Sequence, residues 1–598
     1  MITGSYDIQT VKAMLTRLDR RHLAGCIGAV CVAALLSICA VPVEHGWSYA
    51  DILLSRAIGL LTAVGLSCTL LFKTAVRMSA IDALVLIIYA YLMLRCYLDA
   101  TYPAEGMAIH ATYAAALYFA LRILFSATGV SADTLALLIL AYAAYEAFCG
   151  IYQCATATSR HPLYLATGTF NNPGPYSASL VMGLSIACAY LNDFRRLAAV
   201  IDCRQRWLQT AYGAFQTMAV VFTSVMMLTM SRTAFVATAI CLFIIFRHRM
   251  GKWKWIAIPV CAVICVGLYF IKSGSADGRL AINYVGLNAM GGNPLYGHGV
   301  GSFLHKFAET TESLAVDGSL IDLRAVDVME YAFNEWLLIS VELGAAGLAL
   351  MAAIVAIALR RMWKASLPLS LTLITIMVFS FFSYPVELLP YRIIAIISLA
   401  FAVNHPASDR QRRGTPSSTS IAITAAATLS VCVFMEGDRV KALAQAEDDF
   451  NMMKAMDDPA FIKDYHKLLP QLEDDREFLF CYARILAKAD RHNDSNEMLR
   501  RGTLISNDPM FHILQGNNYR DIGATDLAEK AYIKAYYTMP NRIYPLFRLM
   551  NLHEQAGDSA KARAYAKMVI DFHEKITSPA VNEMKTEAQN LLITTSSP

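Results

Sequence analysis

Two arginines carry the first chemical signal. Arg232, in MLTMSRTAFVA, lies between two apolar runs, and Arg279, in SADGRLAINYVGL, opens a long polar stretch. Guanidinium groups stay charged at any working pH and pair with phosphate oxygens through two parallel hydrogen bonds. Two of them on one side of a membrane suit a lipid pyrophosphate. They would hold it at headgroup level and stabilise the charge that develops as it leaves. Plainer alternatives exist: Arg232 as an interfacial residue snorkelling to headgroups, and Arg279 as a solvated loop residue. Asp317, Asp322 and Asp327 are too widely spaced for a DxD metal motif, so no metal and no other cofactor is expected.

The elements that must position these groups follow from composition. In 598 residues, apolar types make up 56% and charged types 16%, with a mean hydropathy of +0.43. A soluble globular chain carries about 25% charge, so a soluble multidomain protein, a disordered chain and a disulfide scaffold are all excluded. Of the 98 charged residues, 46 fall in the last 163 positions, after the apolar run Ile421–Met435. That break predicts a membrane domain over 1–435 and a soluble domain over 436–598. Thirteen of the 14 cysteines precede Glu436, scattered through apolar runs as ordinary small residues, and no zinc or redox site is expected.

Apolar runs long enough to span a bilayer centre near residues 33, 62, 90, 116, 144, 184, 220, 240, 262, 348, 375, 395 and 428, which predicts about 13 spans. Every second loop is rich in Lys and Arg, from Lys12, Arg17, Arg20 and Arg21 to Arg410, Arg412 and Arg413. The positive-inside rule then puts the N-terminus in the cytoplasm and the C-terminal domain outside. One outer loop, 272–330, is far longer than the rest and glycine-rich at Gly286–Gly301, which favours a folded segment over a linker.

Beyond Glu436 the pattern turns to amphipathic helices with a 34-residue period: Gly523 returns as Gly557, and Ala528 as Ala562. A helix pair of that length, closed by Pro540, resembles a tetratricopeptide repeat, and four to five pairs stacked as a solenoid are expected. Such arrays bind peptides or proteins on their concave faces; helices that merely cap the membrane domain are the alternative. The fold class expected is therefore all-α: a polytopic helix bundle with a large outer loop, followed by a helical-repeat solenoid.

GTFNNPGPYSASL (Gly168–Leu180), SRTAF (Ser231–Phe235), GRL with NPLYGHGVGSF (Gly278–Leu280, Asn293–Phe303), FNEWLLISVELGAAGL (Phe333–Leu348) and SYPVELLP (Ser383–Pro390) occur in that order. Together they resemble the O-antigen ligase superfamily, which includes lipopolysaccharide O-antigen ligases, O-antigen polymerases and bacterial protein O-oligosaccharyltransferases. The resemblance implies metal-independent, inverting transfer of a glycan from undecaprenyl diphosphate to an acceptor hydroxyl, on the periplasmic side of the bacterial inner membrane. The acceptor would be lipid A–core, a protein or another glycan, with ligation ranked first. By matched position Arg232 and Arg279 would bind the pyrophosphate. Asn171 and Asn172 would shape the cavity mouth, or form a plain turn. Asn334 and His298 would contact substrate.

One position departs from the pattern. The family's His-Asn, nine residues before Gly-x-x-Gly, is met here by Phe333-Asn334, nine residues before Gly344-Ala345-Ala346-Gly347. A histidine would titrate near neutrality and serve as an acid or base; phenylalanine does neither. Glu335, next in sequence, is the replacement expected to accept the acceptor's proton, unless it pairs with Arg279. Glu330 and His298 are the other nearby groups. A non-catalytic scaffold or transporter, or a family member disabled at Phe333, is the competing class. Nucleic-acid binding is not expected, because the basic excess lies in the cytoplasmic loops.

Overall fold

The computed structural model describes residues 8–596, apart from 42–46, 48, 100, 160–163, 202–204, 330, 405–415, 575–577 and most of 254–272. Among the described residues there are 23 α-helices and no strand. Eight helices are long and apolar enough to cross a membrane, and four shorter apolar helices accompany them: His22–Ile38, Arg232–Phe246, Leu367–Ser380 and Leu389–Asn404. Twelve of the thirteen expected span centres fall on these helices. The thirteenth, near 262, lies outside the described residues. Only a helix satisfies its own backbone within one apolar segment, so the apolar runs and the helices coincide. The chain is an all-α membrane helix bundle.

Two compact units divide the chain. One comprises 1–92, 108–271 and 349–444; the other comprises 93–107, 272–348 and 445–598. The second thus joins the long loop to the C-terminal helices, while the helix Pro416–Met453 runs through the composition break at Met435 without interruption.

In the membrane unit the helix Pro173–Asn192 is packed on most of its surface, against neighbours that include Ala132–Thr156 and Leu367–Ser380. Polar anchors sit inside the bundle. Arg122 and Asp82 are each 1% exposed; the guanidinium Nε donates to Asp82 at 2.8 Å, and the Tyr118 hydroxyl donates to the same carboxylate at 2.7 Å. Arg122 also donates to the Arg77 carbonyl and to Asn404. Removing one partner of a buried pair strands the other charge and costs about 3–5 kcal/mol. Arg122→Leu is therefore expected to lower the thermal midpoint in detergent sharply, and Arg122→Leu with Asp82→Leu to recover much of it. Equal loss in single and double variants would show that the pair is not the anchor.

The C-terminal helices form pairs. Their first members begin at Arg476, Met510 and Tyr544, 34 residues apart each time. Gly523 and Gly557, both at φ +77°, close the first helices of the later two pairs with a conformation that side chains resist. Ala528 and Ala562 are fully buried where the second helices pack close.

His512, 9% exposed, bonds Gln515 through Nδ1 at 3.0 Å. Burial, with Lys534 and His305 nearby, pushes its imidazole down to about 4. Because the folded state holds this base neutral, its contribution is complete above about pH 6.5 and is lost as the pH falls toward 4, by up to about 3 kcal/mol. A thermal-midpoint profile over that range should fall with acid in the native chain and more shallowly in His512→Gln. Identical slopes would rule His512 out.

Candidate functional site

Arg279 lies in the helix Ser273–Ala289 and Asn334 immediately precedes the helix Glu335–Ala365. Asn283, one turn beyond Arg279, connects them. Its Nδ2 donates to the Arg279 carbonyl at 2.9 Å, and its Oδ1 accepts from Asn334 Nδ2 at 2.7 Å. Asn334 Oδ1 in turn accepts from the Leu337 amide at 3.2 Å, capping the helix start. Both ends of the Asn334 carboxamide are thus engaged by protein, which makes it a residue that fixes the helix start beside Arg279.

Phe333 completes this cluster. The Arg279 guanidinium lies over its ring, 5.8 Å from the centroid. Its backbone φ is +51°, unusual for a residue with a bulky side chain. Where the family pattern has an imidazole, this chain has an aromatic face under the arginine. A flat ring can hold a guanidinium by its quadrupole but cannot exchange a proton. Glu335 follows as the first residue of the helix and is 6% exposed.

His298 belongs to a neighbouring arrangement in the same unit. The helix Glu335–Ala365 breaks at Gly344, at φ 66° and ψ −168°. The loop Pro294–Gly299 pairs with that break: His298 and Gly299 amides donate to the Val341 and Glu342 carbonyls at 2.8 and 3.0 Å. In return, the Ala345 and Ala346 amides donate to the Pro294 and Leu295 carbonyls at 2.9 and 3.1 Å. Arg95, ion-paired to Asp99, caps the loop by donating to the carbonyls of Tyr296 and Gly297. His298 Nε2 is buried with no hydrogen-bond partner among the described residues. An unpaired ring nitrogen next to a helix break can hydrogen-bond a hydroxyl, donating or accepting according to the tautomer.

The remaining expected residues belong to the membrane unit. Arg232, half-buried, is the first residue of the helix Arg232–Phe246, whose N-cap is Ser231. Asn172 caps Pro173–Asn192 by accepting from Gly174 at 2.8 Å, and its Nδ2 donates to the Tyr384 hydroxyl at 3.3 Å. Asn171 is exposed. The turn before them is fixed from inside the bundle. Glu146, fully buried, accepts from the Thr169 amide and hydroxyl at 3.0 and 2.7 Å. Gln153 accepts from the Thr167 and Gly168 amides at 2.9 and 2.8 Å. Sequence reasoning missed Glu146, Gln153, Asn283 and Arg95. A carboxylate within an apolar run was the available signal for Glu146.

Among the described residues, no three of His, Cys, Asp and Glu gather as a metal site.

A family model described as O-antigen ligase matches residues 217–352. That match, over 136 of the 598 residues, supports the O-antigen ligase superfamily. The ligase-family segment contains Arg232, Arg279, His298, Phe333, Asn334, Glu335 and the Gly344 break, and Asn171 and Asn172 lie outside it. No curated protein and no solved structure is significantly similar to the chain.

Proposed function

We propose that this membrane glycosyltransferase of the O-antigen ligase type takes a glycan from undecaprenyl diphosphate and passes it to an acceptor hydroxyl at the periplasmic face of the bacterial inner membrane. The observation that carries this is Arg279 stacked on Phe333 beside the capped Asn334–Glu335 helix start. Arg279 binds the pyrophosphate oxygens. The acceptor oxygen attacks the anomeric carbon while the bond from that carbon to the phosphate oxygen breaks, which inverts the centre. The bonding pair leaves with undecaprenyl diphosphate, whose charge the Arg279 guanidinium neutralises. The acceptor's proton passes to Glu335, whose carboxylate stands at the helix N-terminus. The chemistry of these residues requires no metal. The C-terminal unit reads as a periplasmic, tetratricopeptide-like solenoid, and the 34-residue spacing of the helix pairs supports that. Lipid A–core is the preferred acceptor, with protein and lipid-linked glycan as alternatives.

Purified protein with lipid-linked glycan and a metal chelator, offered lipid A–core, a periplasmic protein extract and excess lipid-linked glycan separately, tests this directly. Chelator-resistant transfer lost in Glu335→Gln supports the assignment, and the acceptor that works names the reaction. Absence of transfer to every acceptor by folded protein would favour a scaffold disabled at Phe333.

A further inference from the structure

Within the second unit the segment Arg324–Met329, which leaves the 3-10 turn Leu323–Ala325 and continues as chain without regular structure, runs past the turns that begin successive helix pairs. Val326 has extended backbone (φ −71°, ψ 142°). The contacts advance along the segment as they pass from one helix pair to the one before it. Asn541 Nδ2 donates to the Arg324 and Val326 carbonyls at 3.2 and 2.6 Å. Arg542 pairs with the Asp327 carboxylate at 2.7 Å. Asn507 donates to the Asp327 carbonyl at 3.3 Å and accepts from the Met329 amide at 3.0 Å. Arg476 donates to the Met329 carbonyl at 2.7 Å.

Asn507 and Asn541 stand one repeat apart, each three residues before the first helix of its pair, at Met510 and Tyr544. The same register position in two repeats therefore grips the same strand of chain. Moving from Asn541 to Asn507 advances the segment by three residues, about 10 Å of extended chain. The side chains that the backbone leaves free face the other way. Leu323, Val326 and Met329 are buried in one core with Ala281, Ile282 and Val285 of the helix that carries Arg279. Four residues beyond Met329 the chain reaches Phe333.

We propose that the helical repeats are a clamp for the chain's own Arg324–Met329 segment, in which Asn507 and Asn541 are positioning residues that set Phe333, Asn334 and Glu335 against Arg279. The partner of this edge of the array is the chain itself, bound through its peptide groups. The functional part of the proposal rests on the transferase assignment above; the structural part does not. Neither asparagine touches substrate. Each acts by holding backbone that leads into the site, and small misplacements of such groups are costly to rate.

The test is hydrogen exchange and transfer kinetics on the full-length protein in detergent, with Asn507→Ala, Asn541→Ala and both together. The clamp predicts Met329 amide exchange at least about tenfold faster in Asn507→Ala, with the helices from Met510 and Tyr544 still protected. In the double variant kcat should fall about tenfold while the donor KM stays within about twofold. The exposed pair supplies a second arm: Arg542→Asp and Asp327→Arg should each slow transfer, and together restore it. Unchanged exchange over 324–334 in the double variant would overturn the clamp. So would loss of protection in the repeat helices as well, since the asparagines would then be holding the array. If native protein transfers nothing, the transferase assignment fails, while the exchange data still decide whether the clamp exists.

Discussion

Alanine in place of Arg279 should lower kcat for glycan transfer by about 10²–10³-fold, the range seen when a preorganised group that stabilises transition-state charge is removed. The donor KM should change far less. In the proposed reaction the leaving pyrophosphate gains charge only as the glycosidic bond breaks, so the interaction would be stronger in the transition state than in the bound donor. Arg279→Lys should recover part of the rate, because it keeps the charge but lacks the planar fork that pairs two oxygens and lies flat on the Phe333 ring 5.8 Å away. Phe333→Ala isolates the ring. It removes a contact worth about 0.5–2 kcal/mol, so a loss of roughly 2- to 30-fold is expected in kcat/KM. Phe333 keeps a backbone φ of +51°, a conformation that costs of order 1–3 kcal/mol. Bulky residues held against backbone preference cluster at functional sites, and here the strained residue is the one beneath the arginine. Steady-state transfer assays of Arg279→Ala, Arg279→Lys and Phe333→Ala decide this. Full activity in Arg279→Ala would remove Arg279 from the site.

The spans were legible because an apolar run in a bilayer has only one way to satisfy its backbone, and the helices lie where those runs lie. The 34-residue period was legible for a similar reason: Gly523 and Gly557 answer to local backbone geometry and Ala528 and Ala562 to close packing, so each leaves a mark in the sequence. Arg279 and Asn334 were singled out through short motifs. Asn283 was not, although it sits between them, because a carboxamide bonded to a side chain 51 positions away has no local spacing to betray it. Arg95 was hidden in the same way, reading as a charge at the end of a span while its guanidinium holds carbonyls about 200 positions later. The grip on Arg324–Met329 was out of reach for a further reason. Asn507 and Asn541 recognise peptide groups, which every residue carries, so the segment they hold needs no distinctive side chains.

Gly344→Ala is expected to cost about 3 kcal/mol or more of stability and to remove transfer with it. Two penalties combine at that position. With φ 66° and ψ −168° the backbone occupies a region essentially reserved for glycine. A Cβ there would also stand 2.4 Å from the Leu295 carbonyl oxygen and 2.5 Å from the Gly297 amide nitrogen. Neither is the end of a flexible side chain; both belong to the loop that pairs with the helix break. Relief would require the loop to withdraw, giving up the four backbone hydrogen bonds between 294–299 and 341–346. The loop also carries His298, and the turns before the break lead back to Glu335 and Asn334, so its withdrawal would disturb both groups nearest the proposed chemistry. Gly318→Ala provides the comparison. Gly318 also has a positive φ, +93°, but a Cβ there would meet nothing within 4 Å, so that change should cost only the conformational strain, of order 1–3 kcal/mol. Thermal midpoints in detergent, measured beside transfer rates, separate the two terms. A Gly344→Ala protein as stable and active as Gly318→Ala would mean that the loop does not depend on the break. A large gap between them would identify the broken helix as the feature that the Gly-x-x-Gly motif encodes.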